Sequence, residues 1–385
     1  MRNKKTVEVV KRLLPISITN LLKKGISHPK TIIYNLGFDA TKQPKVFVSY
    51  IHDFMLESDS GKWHGTRDLE CSIFVKILIC LGCRVDVCNV NCIKGIRNDY
   101  DYVIGQGEAF RSARELNPKA KAILYLTEKP PKYSLRKEKE RISYLYERHK
   151  LKATLNRTGR FFKECDFLNL SCCIMIGCEK DSLLLPNIRT YLLKPTGLKN
   201  KKFAIKDRNI NLAKKHFLWI GSFGAVHKGL DILFDVFRET PDLTLHMAGL
   251  NRTEKKFLSC LIPCNVIDYS YMDIQSEEFR QVVNQCAFVV FSSCSEGMAT
   301  SVITAMNHGL IPLITEESSI ELNGIGEIFK DYKVETIAES VKRWSNKDNQ
   351  YLEMQINKTI EFSISMFDKK VYTQTLQNIL SDIFM

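Results

Sequence analysis

The chain has 385 residues, 44% of them hydrophobic, and a net charge of +13. A single core rarely grows past about 250–300 residues, so this length predicts two domains. The composition excludes a disordered or fibrous chain. The charge is uneven. Residues 1–200 hold 36 Lys and Arg against 20 Asp and Glu, whereas residues 201–385 hold 20 against 23. A basic half of this kind suits anionic lipid, a phosphate-bearing acceptor or nucleic acid. The 13 cysteines are an odd, scattered set, as expected of reduced thiols in a cytoplasm. Cys80-Leu81-Gly82-Cys83 has no second pair at zinc spacing, and no metal is expected. No apolar run reaches the roughly 18–20 residues of a membrane span, and the basic start lacks the apolar stretch of a signal peptide. The expected location is the cytoplasm, with a peripheral place on the cytosolic face of a membrane open to it.

Residues 1–40 read as a basic arm, with Val7, Val9, Val10, Leu13 and Leu14 on one apolar stripe ending near Pro15. An α/β domain is expected over residues 41–205. Its strand-like runs are VFVSYI from Val46, RVDVCNV from Arg84, DYVIG from Asp101, AILYLT from Ala122 and NLSCCIMIG from Asn169. Helical patterns lie between them, one before Gly82 and another over residues 134–150. Pro195, Gly197 and a cluster of lysines over residues 195–216 mark the connection. A second α/β series occupies residues 206–358. HFLWIG, LTLHMAG, NVIDYSYM, AFVVFSS and IPLIT are its strands, each of the first four followed by a helical pattern. The chain closes on an amphipathic helix within residues 359–385. Such alternation predicts α/β domains with doubly wound parallel sheets.

Two loops carry chemistry. In the first, Gly221-Ser222-Phe223-Gly224 and then Lys228-Gly229 follow a strand and open a helix. Glycines at such a turn let backbone approach a phosphate. The helix start adds unpaired N–H groups, and Lys228 adds a full positive charge. In the second, Ser292-Ser293-Cys294-Ser295-Glu296-Gly297-Met298-Ala299-Thr300-Ser301 again joins a strand to a helix. Thr300 and Ser301 are candidate helix caps. Glu296 stands just past a strand end, where α/β sheets bind ligands; beside a phosphate site, a carboxylate suits sugar hydroxyls.

The order and spacing of these loops over residues 214–325 resemble the donor domain of retaining GT-B glycosyltransferases, the group 1, family 4-like class. The resemblance implies two Rossmann-like domains facing each other across a cleft, with the C-terminal helix returning to the N-terminal domain. It implies a metal-independent enzyme without a cofactor, in which a nucleotide-sugar is the substrate. Lys228 and Glu296 would be catalytic, Lys228 on the diphosphate and Glu296 on the hydroxyls of the transferred sugar. Gly221, Ser222, Gly224, Gly297, Thr300, Ser301 and Thr304 would complete the donor site. Two positions depart from the family. Ser222 stands where an arginine is usual, and Thr304 stands where a second acid normally holds the ribose.

On the N-terminal side, the loop Gly61-Lys62-Trp63-His64-Gly65 offers flexible backbone, a cation and an aromatic face. Gly61, His64 and Gly65 are the candidate acceptor residues. Gly105-Gln106-Gly107-Glu108 is a second loop that lines the cleft or simply turns the chain. His149 and Arg157 have no evident place in the cleft. The expected reaction moves a sugar onto a glycan or lipid-linked acceptor in cell-surface polysaccharide synthesis, with contact to an anionic membrane. The rival reading is a GT-B-fold protein that binds glycan or nucleotide-sugar without transfer, as Ser222 and Thr304 suggest. Nucleic acid is not an expected partner, because no helix-turn-helix, zinc or aromatic strand signature is present. A nicotinamide site would need a third glycine where Phe110 stands.

Overall fold

A computed structural model describes residues 32–37, 43–50, 65–205 and 208–384. The N-terminal domain runs β1 (Ile33–Leu36), β2 (Lys45–Tyr50), α1 (Thr66–Cys80), β3 (Arg84–Asn89), β4 (Tyr102–Gly105), α2 (Gly107–Leu116), β5 (Lys121–Leu126), α3 (Pro131–His149), β6 (Cys172–Ile176), α4 (Glu179–Ser182) and β7 (Thr190–Leu193). The C-terminal domain runs α5 (Ile210–Ala213), β8 (His216–Ile220), α6 (Leu230–Arg238), β9 (Thr244–Ala248), α7 (Arg252–Leu258), β10 (Val266–Asp268), α8 (Glu277–Gln285), β11 (Phe288–Phe291), α9 (Thr300–Met306), β12 (Ile311–Thr315), β13 (Glu327–Phe329), α10 (Val334–Ser345) and α11 (Asn349–Phe367). The last helix, α12, spans Lys369–Phe384.

The seven-stranded sheet has the order β1-β3-β2-β4-β5-β6-β7, and the six-stranded sheet the order β10-β9-β8-β11-β12-β13. All pairings are parallel except that of β1 with β3. The strands read as unbroken apolar runs because helices cover both faces: Phe288, Val289, Val290 and Phe291 of β11 are all buried. In each sheet the strand order reverses once near its middle, between β2 and β4 and between β8 and β11. Ligand crevices of α/β sheets open at such points, beyond the carboxyl ends of the strands.

Strand β1 corrects one expectation. Most of the segment expected as a basic arm, with its Val7–Leu14 stripe, lies outside the described residues, but its end at Ile33–Leu36 is an antiparallel edge strand. Asn35 N–H donates to Asp86 Oδ1 at 2.7 Å, and Leu36 pairs with Val85. The basic composition of the whole segment masked the short apolar run that makes this edge. The expected strand NVIDYSYM is likewise shorter, confined to Val266–Asp268.

Helix α11 packs on the C-terminal domain and ends before Asp368, whose carboxylate takes Lys370 N–H at 2.8 Å. Helix α12 then returns to the N-terminal domain and packs against α1 and β7. Its Tyr372 hydroxyl lies 3.3 Å from that of Tyr125, Arg189 donates to Asp382 at 2.8 Å, and the Phe384 ring lies 4.2 Å from that of Tyr102. Helix α3 and the residues just before it staple the two domains. Lys129, Tyr133 and Lys137 all reach Glu317, each at 2.8 Å. Ser134 lies 2.9 Å from Ser295, and Arg148 pairs with Asp231 and Asp235. All 13 cysteines are free.

Candidate active site

A cavity of about 570 Å³ lies between the carboxyl ends of the two sheets. Gly65, Gln106, Thr127 and Glu128 line it from the N-terminal domain, and Gly221, Ser222, Lys228, Glu296, Thr300, Ser301 and Thr304 from the C-terminal domain. The loop after β8 makes its turn through glycines for steric reasons. Gly229 adopts φ +72°, and a Cβ there would lie 2.1 Å from Ser292 Oγ. This close approach of the α6 start to β11 brings Lys228 to Glu296. Lys228 Nζ donates to Glu296 Oε1 at 2.8 Å, and Ser293 Oγ donates to the same oxygen at 2.9 Å. Both members of the pair are buried. Burial pushes the Glu296 carboxyl up, but Lys228, Arg157 and His227 outweigh it and hold it at about 2. Burial pulls the Lys228 ammonium below its ordinary value, against the attraction of Glu296.

Several expected residues sit elsewhere or act differently. The Gly224 N–H donates to Glu254 Oε1 at 2.9 Å, so it is already committed within the domain. Gly297 presses on the other domain instead of a ligand: a Cβ there would lie 2.3 Å from Thr127 O. Thr300 and Ser301 are not caps. Ala299 occupies the cap position, no side chain closes it, and Thr300 is the first helical residue. Thr304 lines the cavity, but its hydroxyl accepts Leu198 N–H from the interdomain connection at 3.2 Å. Gly61 and His64 lie outside the described residues; Gly65 caps the start of α1 and lines the cavity. Gln106 lines the cavity and accepts from Thr127 Oγ1 at 3.0 Å, so this loop does face the cleft.

Sequence reasoning missed the contribution of residues 156–160, which follow α3 and reach across to the C-terminal domain. Arg157 Nη2 lies 3.5 Å from Glu128 and 3.7 Å from Glu296. Burial raises the Glu128 carboxyl, and nearby Arg157 only partly offsets it. Arg160 stacks on the Phe223 ring at 4.9 Å. The only local signal was a polar, glycine-containing Asn-Arg-Thr-Gly-Arg turn. The turn is held by Glu138 of α3. Its carboxylate accepts the N–H groups of Asn156 and Arg157 at 3.1 Å and of Thr158 at 2.9 Å, and lies 3.8 Å from His227 Nδ1. These bonds and the His227 contact hold Glu138 ionised well below its ordinary value, against burial. His149 lies at the interface on Asp235, at 2.7 Å. Among the described residues, no group of three or more His, Cys, Asp or Glu side chains is arranged to hold a metal.

Two facing Rossmann-like domains, a cleft between their strand ends and a last helix crossing back are the GT-B architecture of glycosyltransferases. Residues 200–361 match the model of the family described as glycosyl transferases group 1. Solved structures share the fold at low identity. Sucrose-phosphate synthase (tll1590) from Thermosynechococcus elongatus is 12% identical, covering 89% of this chain and 99% of that one, with a TM-score of 0.64. Anabaena Alr3699/HepE in complex with UDP-glucose is 13% identical, covering 88% and 99%, with a TM-score of 0.56. A TarM mutant from S. aureus, in complex with Fondaparinux, alpha-GlcNAc-glycerol and UDP, is 15% identical, covering 75% of this chain, with a TM-score of 0.53. The chain spans 56% of the length of that TarM structure. No curated protein sequence matches the chain.

Proposed function

We propose that the protein is a glycosyltransferase that moves a sugar from a nucleoside-diphosphate sugar to a hydroxyl acceptor with retention of anomeric configuration. The observation that carries this is the Lys228–Glu296 pair, buried at the strand ends where the two sheets face each other. The group 1 family match and the nucleotide-bound neighbours support a nucleotide-sugar donor, with UDP-glucose the first to try. In the reaction, the bond from the sugar C1 to the β-phosphate oxygen breaks and its electron pair leaves on the diphosphate. The acceptor oxygen bonds to C1 on the same face, and its proton passes to the departing phosphate. Lys228 and the backbone N–H groups at the start of α9 would meet the charge that grows on the leaving group, and Glu296 would accept from sugar hydroxyls. These side chains leave no step that calls for a metal, so EDTA should leave turnover unchanged. The acceptor is proposed to be a glycan or lipid-linked chain of cell-surface polysaccharide, reached from the cytosolic side of an anionic membrane.

Incubation of the whole chain with a panel of nucleotide-sugars tests the reading. Slow hydrolysis of one donor to its nucleoside diphosphate, with the freed sugar in the donor's own anomeric form by NMR, is the expected result. Ser222 and Thr304 favour the second reading, a binder without turnover. Thermal stabilisation by a donor that stays intact would establish that reading instead.

A further inference from the structure

We infer that Arg157, from the N-terminal domain, is the second cation on the donor's diphosphate. The inference rests on the nucleotide-sugar reading and names a residue for it. The loop after β8 supplies little charge of its own to the cavity. Between Gly221 and Lys228 it carries Ser222, Phe223, Gly224, Ala225, Val226 and His227, and His227 turns away to Glu138 and to Ser295 O, at 3.8 and 2.5 Å. The charge of Lys228 is already matched by Glu296, at 2.8 Å. A diphosphate carries at least two negative charges, so another cation is needed in the same space.

Arg157 is placed to be that cation. It lines the cavity together with Ser222 and Lys228. Its two carboxylate neighbours stand at 3.5 and 3.7 Å, longer than the 2.7–2.9 Å of a formed charge-assisted bond. Its Nε is buried and, among the described residues, has no hydrogen-bond partner. A structural ion pair would close both distances, as Arg148 does on Asp231 and Asp235. Here the guanidinium keeps its donors for something else.

Its backbone is nonetheless fixed, because Glu138 takes the N–H groups of residues 156–158. Its stem crosses the other domain at Gly224, where a Cβ would lie 2.8 Å from Arg157 Cγ and 2.9 Å from Cδ. This accounts for Gly224, whose own N–H is committed to Glu254: the glycine admits the arginine. The diphosphate would then be held between domains, with Lys228 on one side and Arg157 on the other.

The test uses the full chain, UDP binding by calorimetry and UDP release from UDP-glucose, or from whichever donor the panel selects, with its own nucleoside diphosphate as the binding probe. Arg157→Ala should weaken diphosphate binding and lower turnover on the order of 100-fold, the effect of removing one donor to a developing anion. Added guanidinium should recover part of the turnover, which no loss of packing would allow. Arg157→Lys should fall between, since an ammonium gives the charge without the planar fork. Arg157→Ala with Ser222→Arg should regain diphosphate affinity, because position 222 lines the same cavity. Should Arg157→Ala misfold, Arg157→Lys with an unchanged melting curve carries the comparison. Wild-type binding and turnover in a folded Arg157→Ala or Arg157→Lys variant would overturn this inference alone. A wild-type chain that binds no nucleoside diphosphate would overturn the nucleotide-sugar reading and Arg157's part in it together.

Discussion

Replacing Lys228 by methionine should destabilise the protein by about 3–5 kcal/mol, the usual effect of removing one member of a buried ion pair. The structure supplies a second route to that size. Glu296 is buried, and Lys228, with smaller help from Arg157 and His227, holds its carboxyl at about 2 against an ordinary 4.5. A difference of roughly 2.5 pH units, at 1.36 kcal/mol each, is about 3 kcal/mol of charge stabilisation. Because the folded value is depressed, this contribution is fully present above about pH 4.5 and is lost as pH falls towards 2. Lys228 itself is pulled down by burial, so the intact pair contributes much less than the loss of either partner costs. Lys228→Met with Glu296→Gln should therefore be more stable than either single variant. Urea unfolding at pH 7 and pH 4 reads all four proteins, and donor turnover should be lost in every variant lacking Lys228. A cost under about 1 kcal/mol for Lys228→Met at pH 7, or a double variant less stable than both singles, would refute this coupling of Lys228 to Glu296.

Glu70→Gln should stabilise the protein at pH 8 and change little at pH 5. Burial raises the Glu70 carboxyl to about 7 while it accepts Thr196 N–H at 2.9 Å, so as a carboxylate it loses stability as pH rises from about 4.5 through 7; thermal melts at the two pH values check this. Glu317→Ala removes the acceptor shared by Lys129, Tyr133 and Lys137; calorimetry should show the domains beginning to melt apart, with a loss of about 3 kcal/mol, and an unchanged single transition would remove Glu317 from that role. Residues 1–31 hold 8 Lys and Arg against one Glu. Deleting them, while keeping β1, should weaken co-sedimentation with anionic vesicles at low salt and spare donor hydrolysis, and equal pelleting of both proteins would exclude a membrane role for this segment.

Much of the architecture was legible because buried parallel strands must be apolar runs and the helices between them carry one apolar stripe. Lys228 and Glu296 were legible for a related reason: they stand in the loops that follow β8 and β11, where α/β sheets place their ligand sites. What could not be read depends on the two domains meeting. Gly297 looks like a phosphate-loop glycine, and only the arrival of Thr127 O against it shows why a Cβ is excluded. Gly224 looks the same, yet Glu254 takes its N–H and the Arg157 stem lies across it. Arg157 follows a helix whose last residues, Arg148 and His149, are occupied by Asp235. Nothing local says that the next turn swings into the cleft. The hydroxyl of Thr304 already receives Leu198 N–H, so its remaining capacity towards a ribose is set by the interdomain connection.

The balance of groups in the cavity narrows what can fill it. Around the Lys228–Glu296 pair two cations, Lys228 and Arg157, stand beside two carboxylates, Glu296 and Glu128; Arg67, Arg160, Glu70 and Asp273 also line the cavity. An inorganic diphosphate would satisfy the cations and crowd its charge against the carboxylates. A neutral sugar would donate hydrogen bonds to the carboxylates and leave the cations unmatched. An occupant with anionic oxygens at one end and hydroxyl donors at the other satisfies both sets. Glu296, held ionised by its cationic neighbours, would be the acceptor for those hydroxyls. Burial raises both carboxyls, but only at Glu128 does it outweigh the neighbouring cations, so Glu128 is the one that would take up a proton at least cost when a further anion enters. Contributions from both domains are therefore needed for electrostatic closure. Lys228 and Glu296 alone make a neutral pair, and under the proposed reaction it is the N-terminal loop held by Glu138 that would turn the pair into a site for a charged leaving group.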